Sequence, residues 1–312
     1  MTPNLLHQLD LRDPETGAPL AAADAAIGDD GIWRALSPAL DAATAAGRAH
    51  YRAARFREGW SMGDLHDDEA IARRVRALPM RDVTGRHPAI WAARLRSYRA
   101  LVKRLVMPMA QKRMRGLTLL DLGAGSGWLA GRLATGNHRA VAVDLDDHPI
   151  DGLGAVRHWQ LGAGHLFGAA PENLAAVQAH FDHLPFADGQ FDLVVWNGAF
   201  HYAADGARTL AEGRRMLAPG GRLVILDSPT FGSEAAGETM LAEQRAQHGG
   251  ESHLAPRIGF VTPKRLAGYD RAVRWRRRFI FYDLRWHLRP LQARLLGRRP
   301  PMRFWLWIGQ VT

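Results

Sequence analysis

The chain has 312 residues, 47% of them hydrophobic and 23% charged, a size and balance that suit one large α/β domain with an appendage. It contains no cysteine, which excludes disulfides, Cys-ligated zinc, iron–sulfur clusters and a cysteine nucleophile. The formal net charge of +10 is local: from Arg271 to Arg303 eleven arginines face one acid, Asp283, and the rest of the chain is neutral.

In chain order, residues 1–40 are turn-rich, with Asp13-Pro14, Gly17, Pro19, Gly28 and Gly31 spaced as in a small module of short strands. The first residues lack a basic start followed by an apolar core. No apolar run approaches the roughly 20 residues a membrane span needs, so the expected location is cytoplasmic. Residues 41–115 read as helical, in AATAAGRAHYRAARF and HPAIWAARLRSYRALVKRL, with interruptions at Pro79 and Pro88. Residues 116–312 then alternate: a strand LTLLDLG, a helix WLAGRLA, a strand RAVAVDL, and later strands QFDLVVWN, GRLVILDS and the distal pair RRFIFYD and RFWLWIG. This alternation predicts a parallel, doubly wound sheet.

The turn between the first strand and helix, LLDLGAGSGW, poses the central question of which ligand it holds. Glycines there let backbone approach a ligand closely. A dinucleotide fingerprint requires G-x-G-x-x-G, yet Gly123 and Gly125 are followed at the third place by Trp128. A P-loop requires a Lys after its last glycine, and Gly127 has none. ATP and NAD both fit poorly.

What remains is Asp121, Gly123, Gly125 and Gly127 in D-x-G-x-G-x-G, and this resembles the first motif of class I S-adenosylmethionine-dependent methyltransferases. The resemblance continues for about a hundred residues, through VAVD ending in Asp144, LPFADGQFDLVVWNGAFHY and TLAEGRRMLAPGGRLVILDSP. It implies a Rossmann-like, seven-stranded sheet, mostly parallel with an antiparallel last strand, behind an N-terminal helical lid. It also implies S-adenosylmethionine as cofactor, with Asp121, Gly123, Ala124, Gly125 and Gly127 forming the loop and Asp144, followed by Leu145, at the ribose hydroxyls. A carboxylate suits two vicinal hydroxyl donors. The adenine place of the family holds His180 here, with Phe181 and Asp182 beside it, and which of the two polar residues faces adenine is open. Asn197 and Gly198 are expected beside the methionine end.

Methyl transfer from a sulfonium needs alignment and water exclusion, and no universal catalytic residue. His201 and Tyr202, just after the fourth strand of the resemblance, are the candidates for a general base or a substrate contact. In HYRAARFREGW, Tyr51, Arg55 and Glu58 share a helix face. Tyr51, Arg55 and Trp60 are the expected acceptor contacts. The chain has NGAF where amine-directed relatives carry [DN]-P-P-[YFW], and no cysteine for cytosine C5 chemistry, so a nucleic-acid acceptor is disfavoured. The expected acceptor is a small molecule, with a lipid-like, isoprenoid or secondary metabolite in view. The alternatives are an RNA methyltransferase using the C-terminal arginines and a non-catalytic donor-binding partner protein.

The two ends add expectations of their own. LLHQLDLRDPETGAPL resembles a zinc-ribbon-like module with Asp13 and Thr16 at the cysteine places, so no metal is expected there. At the other end arginine is interleaved with Trp, Phe and Leu. That pattern fits a terminal strand pair, contact with an anionic membrane surface, or an anionic ligand or RNA backbone.

Overall fold

The computed structural model describes residues 5–63, 67–160, 171–247 and 257–312. The chain opens with an antiparallel hairpin, β1 (Leu11–Arg12) and β2 (Pro19–Leu20), followed by β3 (Ile32–Arg34). Helices α1 (Pro38–Arg57), α2 (Asp68–Ala77), α3 (Pro88–Leu101) and α4 (Met107–Arg113) come next. Proline sits in the first turn of α1 and α3, where its missing N–H has no helical partner to lose, whereas α4 continues α3 through a π turn at Val102–Val106 with Pro108 just past it. The side chains of Ser37 and Asp67 cap α1 and α2.

The alternating part runs β4 (Thr118–Leu122), α5 (Trp128–Ala134), β5 (Arg139–Asp144), the single turn α6 (Arg157–Gln160), β6 (Leu174–Gln178), β7 (Phe191–Asn197), α7 (Gly206–Arg215) and β8 (Leu217–Leu226). The chain ends with α8 (Glu234–Gln247), α9 (Pro263–Tyr269), β9 (Val273–Arg278), α10 (Leu284–Leu295) and β10 (Leu306–Val311). One sheet orders the main strands β3-β6-β5-β4-β7-β8-β10-β9. Strands β3 to β8 pair in parallel, and β10 lies antiparallel to both of its neighbours. The parallel sheet with an antiparallel last strand is thus present, because strands covered on both faces, such as β4 and β6, are buried along their whole length.

The sheet has eight strands where seven were expected. The added edge strand is β3, which pairs with β6 from Ile32–Ala176 to Arg34–Gln178. Through β3 the N-terminal segment therefore extends the main sheet, and Leu5, Leu6 and Trp33 are buried in the core on one of its faces. Asp13 and Thr16, at the cysteine places of a zinc ribbon, form a hydrogen-bonded turn in which Asp13 Oδ1 accepts from Thr16 N at 2.7 Å and from Thr16 Oγ1 at 2.9 Å.

The distal strand pair also shifts. RRFIFYD was expected as a strand, yet pairing with β10 stops at Arg278 opposite Leu306. Beyond it the period-two burial persists without a ladder: Ile280 and Tyr282 are buried, Phe279 and Phe281 exposed. Tyr282 turns in to meet Ser97 Oγ at 2.9 Å, which draws this segment off the sheet edge and onto α3.

The sequence order of the strands reverses at β4. From there the chain builds β5 and β6 to one side and β7 and β8 to the other. In such sheets the crevice outside the carboxyl ends of the strands at the switch point is where ligands bind.

Candidate cofactor and acceptor site

Gly123, Gly125 and Gly127 all take positive φ (71°, 54° and 66°) in the turn from β4 into α5. A Cβ on Gly123 would stand 2.4 Å from the Ala199 Cβ, and one on Gly127 2.5 Å from Val156 Cγ2, whereas one on Gly125 would meet nothing within 4 Å. The outer two glycines thus let the loop seat on its neighbours, and Gly125 is open. The loop N–H groups turn inward. Gly123 and Ala124 donate to Val143 O at 2.8 and 3.0 Å, Gly125 to Asp144 Oδ2 at 2.8 Å and Gly127 to Ala124 O at 3.0 Å.

Asp144 ends β5 with each carboxylate oxygen holding one backbone N–H, that of Gly125 and, at 2.9 Å, that of Asp146. Burial nevertheless raises its pKa to about 6. Asp121, one strand over, is buried with Oδ2 accepting from Ala130 N at 3.2 Å and Oδ1 lacking a partner, and burial raises it to about 7. Asp227, at the end of β8, accepts from Ser97 Oγ at 2.5 Å and is raised by burial to about 6. The strand ends thus form an acidic floor.

The opposite wall comes from α1 and α3. Arg52 fastens α1 to the β5 loop through Asp146 and Asp147, at 2.5 and 3.0 Å, and Asp151 holds Ser61 Oγ and Met62 N at 2.6 and 2.8 Å. These ties close a cavity of about 900 Å3 lined by Gly123, Ala124, Gly125, Asp144, Asn197 and Gly198 on the sheet side. Tyr51, Arg55, Trp60, Trp91, Arg94 and Trp128 also line it. The Arg55 guanidinium lies 4.2 Å from the Trp60 ring centre, and that of Arg94 lies 5.2 Å from the same ring and 4.7 Å from Trp91. Arg55 also reaches Glu58 at 3.6 Å, whereas Arg94 has no carboxylate within 4 Å among the described residues. Burial lowers the pKa of Arg94.

Residues 120–225 match a family model described as a methyltransferase domain. The chain carries a methyltransferase domain. Among curated relatives it is 29% identical over 153 residues to the ubiquinone/menaquinone biosynthesis C-methyltransferase of Klebsiella pneumoniae (48% of this chain, 55% of that one). It is 35% identical over 141 residues to the malonyl-[acyl-carrier protein] O-methyltransferase of Geobacter sulfurreducens (45% and 46%). To the dimethylglycine N-methyltransferase of Parasynechococcus marenigrum it is 34% identical over 123 residues (39% and 41%). The chain spans about half the length of these relatives. Solved structures similar to it include the YcgJ protein of Bacillus subtilis (16% identity, 65% of this chain and 95% of that one, TM-score 0.47). Another is the arsenic(III) S-adenosylmethionine methyltransferase of Chlamydomonas reinhardtii (20% identity, 69% and 73%, TM-score 0.43).

The donor of this class, S-adenosylmethionine, suits the groups present. It has no phosphate, and the N–H groups of Gly123, Ala124, Gly125 and Gly127 are already held within the protein. Its ribose hydroxyls need an acceptor, and Asp144 is a half-buried carboxylate on the cavity with lone pairs to spare. Its sulfur is cationic, and the cavity carries the carboxylates of Asp144, Asp146 and Asp151.

The other residues expected at the site lie farther off. Asp121 and Gly127 support the loop from below and behind, and neither lines the cavity; nor does Leu145, whose carbonyl accepts from Gln178 Nε2 at 3.0 Å. Asp182 is buried against α7, accepting from the Thr209 hydroxyl, and His180 Nδ1 accepts from Asp182 N at 3.2 Å. His180, Phe181 and Asp182 do not line the cavity. His201 and Tyr202 stand one layer back: Tyr202 packs edge-on against Tyr51 at 5.8 Å, and His201 lies 3.4 Å from Ser228 Oγ. Burial, with Arg257, Arg94 and Arg55 nearby, lowers the His201 pKa to about 3, so its ring is neutral and a weak base. Arg94 and Trp91 were missed from the sequence. Their signal was an arginine within the apolar helical stripe Trp91, Arg94, Tyr98 of α3, where a solvent-facing cation is not expected.

Proposed function

We propose that this protein transfers a methyl group from S-adenosylmethionine to a small-molecule acceptor that enters between the sheet and the α1–α3 wall. The observation that carries the reading is the loop itself: the N–H groups of Gly123, Ala124, Gly125 and Gly127 are taken up by Val143, Asp144 and Ala124, while Gly125 and Asp144 face the cavity. That arrangement favours a ribose-bearing ligand without phosphate over a dinucleotide or ATP. At about 900 Å3 the cavity lies toward the upper end of the roughly 300–1,000 Å3 range of ligand pockets, room for a donor and an acceptor side by side.

When bound, the donor supplies a methyl group on a positively charged sulfur, which an electron-rich acceptor atom displaces in line. Asp144 accepts the ribose hydroxyls, and the carboxylates lining the cavity favour the cation. Trp60, Trp91 and Trp128 exclude water. Arg55 and Arg94 hold the acceptor and favour its anionic form, lowering the pKa of the nucleophile they face. His201, neutral and one layer back from the cavity, is poorly placed as a base, which suits an acceptor that arrives already deprotonated and has given its proton to solvent. The tryptophans and arginines of the wall thus favour a flat or apolar acceptor carrying an acidic group.

Incubation with methyl-labelled donor and a panel of acidic, neutral and amine acceptors tests this. Label should pass to acidic members, and Arg94→Ala should raise the acceptor KM by about tenfold or more through a lost charge-assisted hydrogen bond, with S-adenosylhomocysteine affinity unchanged. Absence of S-adenosylhomocysteine binding to the wild type would end the reading.

A further inference from the structure

The C-terminal segment carries a surface that methyl transfer does not explain. In α10, Leu284, Leu288, Leu291 and Leu295 are 67%, 43%, 55% and 77% exposed, and Phe279, Phe281 and Leu296 beside them are exposed too. At about 100° per residue these four leucines fall within an arc of about 60°. Arg285 and Arg294 lie about 90° to either side of that arc, and Trp286 and Ala293 lie opposite it. Trp286 anchors the opposite face to the body of the protein, stacking on Phe304 with ring centres 5.6 Å apart. The helix therefore turns its apolar stripe outward and its arginines sideways, the reverse of a helix laid on a core. Nearby, β9 exposes Arg274, Arg276, Arg277 and Arg278 at the sheet edge. Of the eleven arginines between Arg271 and Arg303, Arg299 alone lies within 4 Å of a carboxylate, that of Glu243, among the described residues.

We propose that α10 is an in-plane membrane anchor whose leucines enter the acyl boundary of an anionic lipid surface while the flanking arginines meet the headgroups. An outward leucine stripe bordered by cations on both sides is the geometry such helices use, and a cationic, uncompensated surroundings is complementary to anionic lipid. A second copy of the chain fits poorly, since it would bring two unpaired arginine clusters face to face. RNA would engage the arginines and leave the leucines without a role. No helix among the described residues is long and apolar enough to cross a membrane, so the contact is peripheral. The segment leading into α10 is tied to the helix whose Trp91 and Arg94 line the cavity: Arg96 reaches Asp283, the cap of α10, at 3.7 Å, and Arg104, just past the end of α3, donates to Phe279 O at 2.6 Å. Docking would set the cavity wall next to the lipid surface.

Cosedimentation of the full chain with vesicles tests the proposal, using phosphatidylcholine alone and phosphatidylcholine with about a third phosphatidylglycerol. The wild type should bind the anionic vesicles and lose binding as salt rises. A Leu288→Ser, Leu291→Ser, Leu295→Ser variant should lose at least about tenfold in partitioning while keeping S-adenosylhomocysteine affinity, since these side chains are exposed and do not line the cavity. An Arg285→Gln, Arg294→Gln, Arg298→Gln variant should lose its preference for anionic vesicles. The proposal is overturned if the wild type ignores both vesicles or if the serine variant partitions like the wild type. It is overturned equally if ultracentrifugation shows a dimer that the serine substitutions dissociate, or if RNA binds wild type and serine variant alike and strips both from vesicles.

Discussion

Asp144→Ala probes the donor site most directly. The carboxylate stands at the cavity end of β5 and accepts the N–H groups of Gly125 and Asp146 at 2.8 and 2.9 Å, so its loss removes both an anchor for the loop and an acceptor for ribose hydroxyls. A hydrogen bond to a charged group contributes about 1.5–3 kcal/mol, which corresponds to donor binding weaker by about 10- to 150-fold. The variant should stay folded. Raising a carboxyl from 3.8 to about 6 means its ionised form costs roughly 3 kcal/mol at neutral pH, a cost absent below pH 3.8 and complete above about pH 6. Removing the group relieves it. The same shift gives a pH signature: ribose hydroxyls favour the ionised form, so wild-type affinity should be level above about pH 7 and fall about tenfold per unit below about pH 6, as binding then releases a proton. In Asp144→Ala that limb should disappear. Calorimetry with S-adenosylhomocysteine from pH 5 to 8, with thermal melts as a control on folding, reads both quantities. A folded variant with wild-type affinity at pH 7.5 would refute the assignment.

His201→Gln should leave kcat within about threefold and the pH–rate profile without an imidazole limb between pH 6 and 7, because the ring is already neutral there; a hundredfold loss would instead mark it as the base. Gly123→Ala forces a side chain to φ 71° and 2.4 Å from the Ala199 Cβ, so urea unfolding should register a loss of about 1–3 kcal/mol, and a variant as stable as the wild type would contradict the seating of the loop.

Much of the fold was legible because its signals are local. Apolar runs bounded by turns marked β4, β5, β7 and β8, and the glycines at 123, 125 and 127 marked the turn that only positive φ permits. β6, with the sequence LAAVQ, carries two alanines and no aromatic residue, and is a strand because β5 and β3 hold it on both sides. β3 is three residues long and found its place only by pairing with β6. The segment after Arg278 kept the alternation of a strand without becoming one, since Tyr282 bonds to Ser97, 185 residues away in the chain.

The methyltransferase loop, its acid on the neighbouring strand and the basic C-terminus were determined by the sequence alone, since each depends on residue types at short spacing. The tertiary structure decided what those residues meet. It turned loop N–H groups inward, brought Arg94 from α3 onto the same cavity as Asp144, set half-buried His201 near arginines so that it stays neutral, and left the leucines of α10 facing out. These outcomes rest on burial and on contacts between segments tens to hundreds of residues apart, and charge state, pKa and exposure follow such neighbours rather than the local pattern.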